Sequence, residues 1–321
     1  MTAAPAGRPL LLIGGPTASG KSALALGLAR AFDGVVINAD SMQVYAELRV
    51  LSGRPDAAEE AAVAHRLYGV VSASERFTVG RWRELAMSEI SAAHEAKRLP
   101  IVVGGTGLYF RALLQGLSPI PEIPPAVRAA AARQLAALGP AGLHAALDLC
   151  DPETARRLKP SDKQRIVRAW EVVSATGRGL ADWQREPGER PADWRPLTLV
   201  LAPPRQDIYA ACDARLKRMA AAGALEEALT LAGLGLDPGL PAMKAVGVRE
   251  FLACARGEST LDEAIAAAQQ TTRRYAKRQL TWFRHQMLKA NFIIDMISNK
   301  QDSERLLSKI YPIIRSSLLT R

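Results

Sequence analysis

Cysteine is scarce in this sequence, with three residues (Cys150, Cys212 and Cys254) spread over 321 positions. Their spacing encodes neither a zinc-binding knuckle nor a disulfide framework, which favours a protein of a reducing compartment. No apolar run approaches the ~20 residues of a membrane-spanning helix, and residues 1–9 lack the apolar centre of a signal peptide. These absences exclude the disulfide-rich and membrane-spanning classes, and we expect a cytoplasmic protein without a membrane partner.

Acidic residues are outnumbered, with 32 Asp and Glu against 42 Lys and Arg, so that the net charge is +10. No acid occurs between Glu263 and Asp295, and this gap holds the densest basic cluster, in which Tyr275, Trp282 and Phe283 alternate with cations. A charge run is usually only a solvated face. A run that has no compensating acid and is interleaved with aromatic side chains also suits a nucleic-acid backbone. Its candidate contacts are Arg273, Lys277, Arg278 and Arg284.

The most informative segment is a glycine-rich loop that directly follows the apolar run at residues 10–13. It has the pattern G-x-x-x-x-G-K-[ST], and apolar residues at helical spacing come after it. Backbone N–H groups in such a loop converge on one anion at the positive end of a helix dipole. The lysine adds a point charge, and the last hydroxyl, that of Ser22, is placed to hold Mg²⁺. The sequence therefore predicts a polyphosphate site formed by Gly15, Pro16, Thr17, Ala18, Ser19, Gly20, Lys21 and Ser22.

Short apolar runs alternate with helical patterns over much of the sequence. The runs lie at residues 10–13, 35–37, 101–103 and 197–201, and a clear helical pattern covers residues 82–97. This alternation predicts an α/β fold of the P-loop NTPase-like type, a parallel sheet flanked by helices. Ligands of such sheets bind beyond the carboxyl ends of the strands, which is where the phosphate loop is expected.

The composition divides the sequence into four stretches. Residues 1–118 form the first part of the core. Residues 119–196 begin with several prolines and continue with Ala-, Arg- and Leu-rich helical patterns, which predict an all-helical insertion domain. Residues 197–289 return to the core and end in the basic helix. Residues 290–321 differ in composition, and we predict an appended tail of unknown role with a helix near residues 306–314.

Two polar residues stand beside the phosphate loop at predicted strand ends. Asp40 follows the second strand, where it is a helix cap, a metal ligand or a general base. Thr106, in a Gly-Gly-Thr-Gly turn after the third strand, caps the next helix or points into the cleft. Proximity to a phosphate loop favours chemistry for both. A third candidate is a helix of the insertion that is either a solvated face with a buried stripe or a nucleic-acid contact; its residues are Gln164, Arg165, Ile166, Val167 and Arg168.

Six segments, taken in order, resemble the tRNA dimethylallyltransferase family, the tRNA isopentenyltransferases. The likeness covers residues 10 to about 288, and the whole set is far more specific than the phosphate loop alone. Besides that loop, the segments are Asp40-Ser41-Met42-Gln43-Val44-Tyr45, Gly104-Gly105-Thr106-Gly107-Leu108-Tyr109-Phe110, Gln164-Arg165-Ile166-Val167-Arg168-Ala169, Pro241-Ala242-Met243-Lys244-Ala245-Val246-Gly247 and Ala276-Lys277-Arg278-Gln279-Leu280-Thr281-Trp282-Phe283-Arg284.

The resemblance implies transfer of a dimethylallyl group from dimethylallyl diphosphate to the exocyclic amine of the adenosine 3′ of the anticodon in tRNA. It implies that the phosphate loop holds the prenyl diphosphate, with Mg²⁺, and that Lys21 and Arg215 face the leaving group. Asp40 becomes the general base, and Thr106 orders the reacting centre. Nothing in the sequence demands an oligomer, and we expect a monomer. The implied tRNA contacts are Asp40, Ser41, Met42, Gln43, Thr106, Arg128, Gln164, Arg165, Ile166, Val167, Arg168, Lys244 and Arg249.

One loop departs from the family pattern, and other functions share some of the motifs. Where the family commonly reads Gly-Thr-Ala-Lys-Pro, this chain has Leu51-Ser52-Gly53-Arg54-Pro55, and Arg54 keeps the charge but not the geometry of a lysine. The main alternative is a small-metabolite kinase with ATP on the phosphate loop, which leaves the basic helix without a role. A non-catalytic RNA-binding switch and a prenyltransferase acting on free adenylate are the others.

Overall fold

The computed structural model describes residues 7–186, 188–189, 193–286, 290–296 and 300–319. Residues 1–6, which form most of the segment used to exclude a signal peptide, lie outside this range. The chain divides into a core unit, Met1–Leu113 with Pro191–Arg321, and a helical unit, Leu114–Arg190. Over the described ranges, no helix is both long and apolar enough to cross a membrane.

The core unit is built on a six-stranded sheet in the order β3-β2-β4-β1-β5-β6, and all of its neighbouring strands are parallel. Every residue of β2 and β4 is buried, as expected of parallel strands covered by helices on both faces. The predicted α/β sheet is confirmed, although β3 and β6 were not predicted. The strands are β1 (Arg8–Gly14), β2 (Gly34–Asn38), β3 (Ala64–Arg66), β4 (Leu99–Gly104), β5 (Trp194–Leu201) and β6 (Phe292–Ile294).

Helices connect and cover the strands. The first four are α1 (Lys21–Ala31), α2 (Ala57–Ala62), α3 (Val79–Glu95) and α4 (Gly107–Gln115). The helical unit holds α5 (Pro125–Cys150, interrupted at Gly139), α6 (Pro152–Arg157), α7 (Lys163–Thr176) and α8 (Leu180–Arg185). The chain then forms α9 (Arg205–Ala221), α10 (Ala224–Gly233), a 3₁₀ turn (Ala242–Lys244), α11 (Val248–Ala255), α12 (Leu261–Gln286), α13 (Lys300–Ile314) and a π-helical turn (Arg315–Leu319).

The parallel registers bring three loops to one edge of the sheet. Gly14, the last residue of β1, is level with Gly104 at the end of β4, and Asn38 of β2 is level with Val103. The phosphate loop, the segment after Asn38 and the turn after Gly104 therefore start side by side. This edge is the ligand-binding edge of a parallel α/β sheet.

Residues after 289 complete the core unit. The Ala202 N–H donates to the Ile294 carbonyl over 2.7 Å beside the β5–β6 pair, and the Tyr311 ring meets the Phe32 ring edge-on at a centroid distance of 5.2 Å. Ile310 is buried in the apolar cluster between the sheet and α1. We predicted an appended tail with one helix, whereas the structure makes this stretch a sixth strand and a helix packed on α1. A three-residue strand is too short to show an alternating pattern.

Candidate active site

The phosphate loop joins the end of β1 to the N-terminus of α1. Gly20 caps the N-terminus of α1 with φ 85°, in the left-handed region where a side chain is strained. No side chain caps this end of the helix. The first N–H groups of α1 are therefore directed at the loop, where an anion complements the helix dipole.

Lys21 is the buried cation of the loop. Its side chain is 8% exposed, and Nζ donates to the Pro16 carbonyl over 3.1 Å. Burial lowers the pKa of Lys21 to about 8, while the negative charge of Asp40 raises it and the positive charge of Arg215 lowers it further. The three charged groups therefore act on one another at this edge of the sheet, and a bound polyphosphate favours the protonated form of the lysine.

Two hydroxyl groups of the phosphate loop could contact a bound polyphosphate or its metal ion. Ser19 Oγ is buried and has no hydrogen-bond partner among the described residues, which an oxygen of a bound phosphate would satisfy. Ser22 lies exposed in the first turn of α1. No group of three His, Cys, Asp or Glu that could hold a metal occurs in the described part of the chain. The hydroxyl of Ser22 would be a single protein ligand for Mg²⁺. This suffices where phosphate oxygens and water supply the other ligands, which is common for this ion.

Asp40 is held by its neighbours in the segment after β2. Its N–H donates to Asn38 Oδ1 over 2.8 Å, and its Oδ1 accepts from the Met42 N–H over 3.0 Å. Thr106 Oγ1 accepts from the Ser41 N–H over 2.9 Å, which ties the turn after β4 to the same segment. The two residues predicted from their strand ends are thus brought together, with a carboxylate in a fixed orientation.

The charge of Asp40 acts on three tyrosines. Burial raises the pKa of Tyr68, Tyr109 and Tyr275, and the charge of Asp40 raises each of them further. Tyr275 lies on α12 and also hydrogen-bonds to Thr106. The three phenols therefore stay neutral at physiological pH and keep their hydroxyl protons as hydrogen-bond donors.

The loop that departs from the family pattern contacts two predicted site residues. Gln43 Nε2 donates to the carbonyls of Ser52 (3.1 Å) and Gly53 (2.8 Å), and Arg215 Nη2 donates to Ser52 O over 3.2 Å. Burial lowers the pKa of Arg215, and Asp40 raises it. The loop therefore helps to position the second cation of the site.

Arg54 has a separate role in that loop. Its Nη1 donates to the Ala46 carbonyl over 3.2 Å and lies near the Tyr45 carbonyl, against the backbone of Gly69. Burial lowers its pKa. The guanidinium of Arg54 therefore binds the backbone carbonyls of residues 45–46 and, among the residues that the structure describes, none of its hydrogen bonds goes to Lys21 or Asp40.

Helix α12 carries an exposed basic face beside a shallow, open cavity, and we call this face the basic groove. It is lined by Arg274, Lys277, Arg278, Trp282 and His285. Of the residues predicted from the sequence, Lys277 and Arg278 line this groove, and Arg284 is exposed on the same helix. Arg274 belongs to the predicted basic cluster but was not among its candidate contacts, and His285 was not predicted, because sequence alone does not tell which helix face is covered.

Arg273 does not belong to this groove. Its Nη1 pairs with both carboxylate oxygens of Asp213 on α9, at 2.6 and 2.8 Å. Arg273 was predicted to contact a tRNA phosphate, but in the structure the carboxylate of Asp213 already neutralises its charge. Sixty positions separate the two partners, so no local pattern reveals the pair.

The other predicted tRNA contacts fall into two groups. In the core unit, Ser41, Met42 and Gln43 flank Asp40 in partly exposed positions, and Lys244 and Arg249 are exposed. In the helical unit, Arg128, Gln164 and Arg165 are exposed, and Val167 and Arg168 are partly exposed. Ile166 is fully buried in the apolar core of α5, α6 and α7. Its side chain packs α7 and is not available to a ligand, which corrects its prediction as a contact.

The sequence is similar to those of known proteins over most of its length. Residues 43–286 match the profile of a family described as IPP transferase. The chain belongs to the IPP transferase family. A tRNA dimethylallyltransferase of Rhodospirillum centenum is 61% identical over 287 residues, 89% of this chain and 91% of the relative. One of Rhodospirillum rubrum is 55% identical over 319 residues, 99% of this chain and 98% of the relative.

Solved structures of the IPP transferase family share the fold. The full-length tRNA isopentenylpyrophosphate transferase of Bacillus halodurans has a TM-score of 0.69 and 31% identity, and the alignment covers 97% of both chains. A eukaryotic dimethylallyltransferase, solved acting on tRNA, has a TM-score of 0.80 and 26% identity, over 95% of this chain and 80% of that one. Both extend the match beyond the phosphate loop to nearly the whole chain.

Proposed function

We propose that this chain transfers a dimethylallyl group from dimethylallyl diphosphate to the exocyclic amine of the adenosine 3′ of the anticodon in tRNA. The observation that carries the proposal is that Lys21 and Asp40 follow the carboxyl ends of β1 and β2, while Arg215 of α9 donates to the Ser52 carbonyl, which also accepts from Gln43 beside Asp40. Two cations suit a diphosphate, and the carboxylate suits a proton acceptor. The membership of the chain in the IPP transferase family supports the same reaction.

The cations act on the leaving group. As the allylic C–O bond breaks, negative charge grows on the diphosphate, and Lys21, Arg215 and the N–H groups at the start of α1 are the donors proposed to stabilise it. Groups fixed in place before the reaction lower the barrier without reorganisation. Mg²⁺, held through Ser22 and the diphosphate oxygens, would add neutralising charge.

The carboxylate acts on the nucleophile. The lone pair of the adenine amine forms the new C–N bond, and the nitrogen must then lose one proton, which Asp40 accepts as general base. Thr106 and Asn38 hold the backbone on both sides of Asp40, so the carboxylate keeps its orientation. The target base must leave the stack of the anticodon loop to reach it.

The contacts with tRNA belong to the proposal as well. The basic groove of α12 supports contact with phosphates, because its cations are exposed and Trp282 offers a stacking surface beside them. The exposed cation Arg128 of the helical unit supports a second contact, and Arg165 is exposed as well, although its Nε lies 3.4 Å from Asp162 Oδ2 in an ion pair. We further propose that the enzyme is cytoplasmic and works as a monomer; light scattering on the purified chain tests the monomeric state.

The test is an incubation with dimethylallyl diphosphate, Mg²⁺ and unmodified tRNA, followed by mass analysis of the nucleosides. The expected result is one adenosine that gains one dimethylallyl group, with no product from free AMP. Consumption of ATP without transfer to tRNA would instead identify a small-metabolite kinase. A product from free AMP would identify an adenylate prenyltransferase.

A further inference from the structure

A buried glutamine joins the two sides of the candidate site. Gln279 of α12 is 5% exposed, and both ends of its side-chain amide are used. Its Oε1 accepts from the Thr17 N–H in the phosphate loop over 2.8 Å, and its Nε2 donates to the Gly105 carbonyl over 2.9 Å. A side chain of α12 thus links the loop after β1 to the turn after β4.

The chemistry of this link requires an amide. One partner is a donor and the other an acceptor, so the side chain must present an oxygen to Thr17 and an N–H to Gly105. An ionised carboxylate offers no donor, and an apolar side chain leaves both backbone groups unpaired. The fit is close, because a Cβ on Gly105 would overlap Gln279 Nε2.

The two anchored groups belong to opposite partners of the reaction. Thr17 lies in the loop that faces the diphosphate, and Gly105 directly precedes Thr106, which holds the segment of Asp40. The distance between the leaving group and Asp40 therefore depends on the two hydrogen bonds of Gln279, although neither the leaving group nor Asp40 takes part in them. Because Thr17 N–H is taken by Gln279, the remaining N–H groups of the loop are the ones available to the ligand.

From this arrangement we propose that Gln279 is a positioning residue, which sets the phosphate loop against the Asp40–Thr106 side of the site. The proposal rests on the function proposed above. Gln279 acts through Thr17 and Gly105, and its 5% exposure leaves little of the side chain accessible to a substrate. Its loss should therefore slow the chemical step while the exposed basic groove keeps its affinity for tRNA.

The first experiment compares Gln279→Leu with Gln269→Leu, a matched control on the same helix. Gln269 makes a hydrogen bond to the Asp213 carbonyl on α9, and not to the phosphate loop. We expect kcat to fall on the order of 100-fold in Gln279→Leu, because small misplacements of reacting groups cost about that much. The Kd for tRNA should stay within a few-fold in both variants. A kcat equal to that of Gln269→Leu would overturn the proposal.

A second variant keeps the test valid where Gln279→Leu fails to fold. In Gln279→Glu the ionised carboxyl accepts from Thr17 but repels the Gly105 carbonyl, whereas the protonated carboxyl restores both bonds. The ratio of variant to wild-type kcat should therefore rise as the pH falls. A ratio that does not change with pH, or a kcat within twofold of wild type throughout, would contradict the positioning role.

The wild-type enzyme in the same assays separates the two proposals. Transfer to tRNA by the wild type, together with unaffected Gln279 variants, removes only the positioning role. Absence of transfer by the wild type removes the proposed function, and the positioning role with it.

Discussion

Two sets of cations lie on neighbouring elements of the core unit. Lys21 and Arg215 sit beside Asp40 at the end of the sheet, and burial lowers the pKa of both. Lys277 and Arg278 line the basic groove of α12 and are exposed to water. Charges that are shielded from solvent interact strongly over a few ångströms, whereas salt screens exposed ones beyond about 10 Å. The buried set is therefore suited to one reaction centre and the exposed set to an extended polyanion.

Removing the base should have the largest effect. Asp40→Asn keeps an oxygen for the Met42 N–H but cannot accept a proton, so transfer should fall on the order of 1,000-fold, within the range for general bases. The Kd for tRNA should stay within a few-fold, because the basic groove is untouched. Single-turnover transfer and filter binding measure the two quantities. A fall in tRNA binding as large as the fall in transfer would contradict the assignment of Asp40 as base.

Removing the buried cation comes next. Lys21→Ala deletes a charge aimed at the leaving group, which should cost about 2–4 kcal/mol in the barrier. The effect should appear in kcat/KM for dimethylallyl diphosphate and leave tRNA affinity unchanged. Activity within a few-fold of wild type would show that the diphosphate is bound elsewhere.

The buried set should also respond to pH, unlike the exposed set. The pKa of Lys21 is about 8, so the lysine is charged below that pH and neutral above it. Affinity for the prenyl diphosphate should be highest below pH 8 and fall as the pH rises through 8. Calorimetry with an unreactive thio-diphosphate analogue measures this dependence. Lys21→Arg keeps its charge to far higher pH and should flatten the profile; an unchanged profile would assign the titration to another group.

The strands, the phosphate loop and two of the site residues could be predicted from the sequence. The strands β1, β2, β4 and β5 were predictable because each contains a short, mainly apolar run. The phosphate loop was predictable because its motif has a fixed relation to the strand before it. Asp40 and Thr106 followed from their strand ends, since parallel strands end at a common edge.

The partners of individual side chains were not predictable. Helical periodicity shows which residues of α12 share a face, but not that α9 places Asp213 against Arg273. Gln279 lies in a matched motif, yet its two backbone partners are 262 and 174 positions away. For Ile166 the sequence left a buried stripe and a nucleic-acid contact open, and the packing of α5, α6 and α7 decides for burial.

Smaller effects are expected from the exposed set. Lys277→Ala and Arg278→Ala should each weaken tRNA binding and reduce the slope of log K against log salt by about 1 for every phosphate that the variant no longer neutralises. The value of kcat at saturating tRNA should not change, because neither side chain belongs to the buried set. Binding isotherms at several salt concentrations measure the slope. An unchanged slope would make the groove a solvated surface.

The smallest effect is expected at Arg273, although it lies between exposed cations in sequence. Asp213 already neutralises it, at 2.6 and 2.8 Å, so Arg273→Ala should leave the salt slope unchanged and cost stability by about 0.2–1 kcal/mol, the usual worth of a solvent-accessible pair. Asp213→Asn is the informative control, because it releases the charge of Arg273 and should steepen the slope. If Arg273→Ala reduced the slope as much as Lys277→Ala does, the ion pair would have to open when tRNA binds, and the division between paired and free cations on α12 would not hold in the complex.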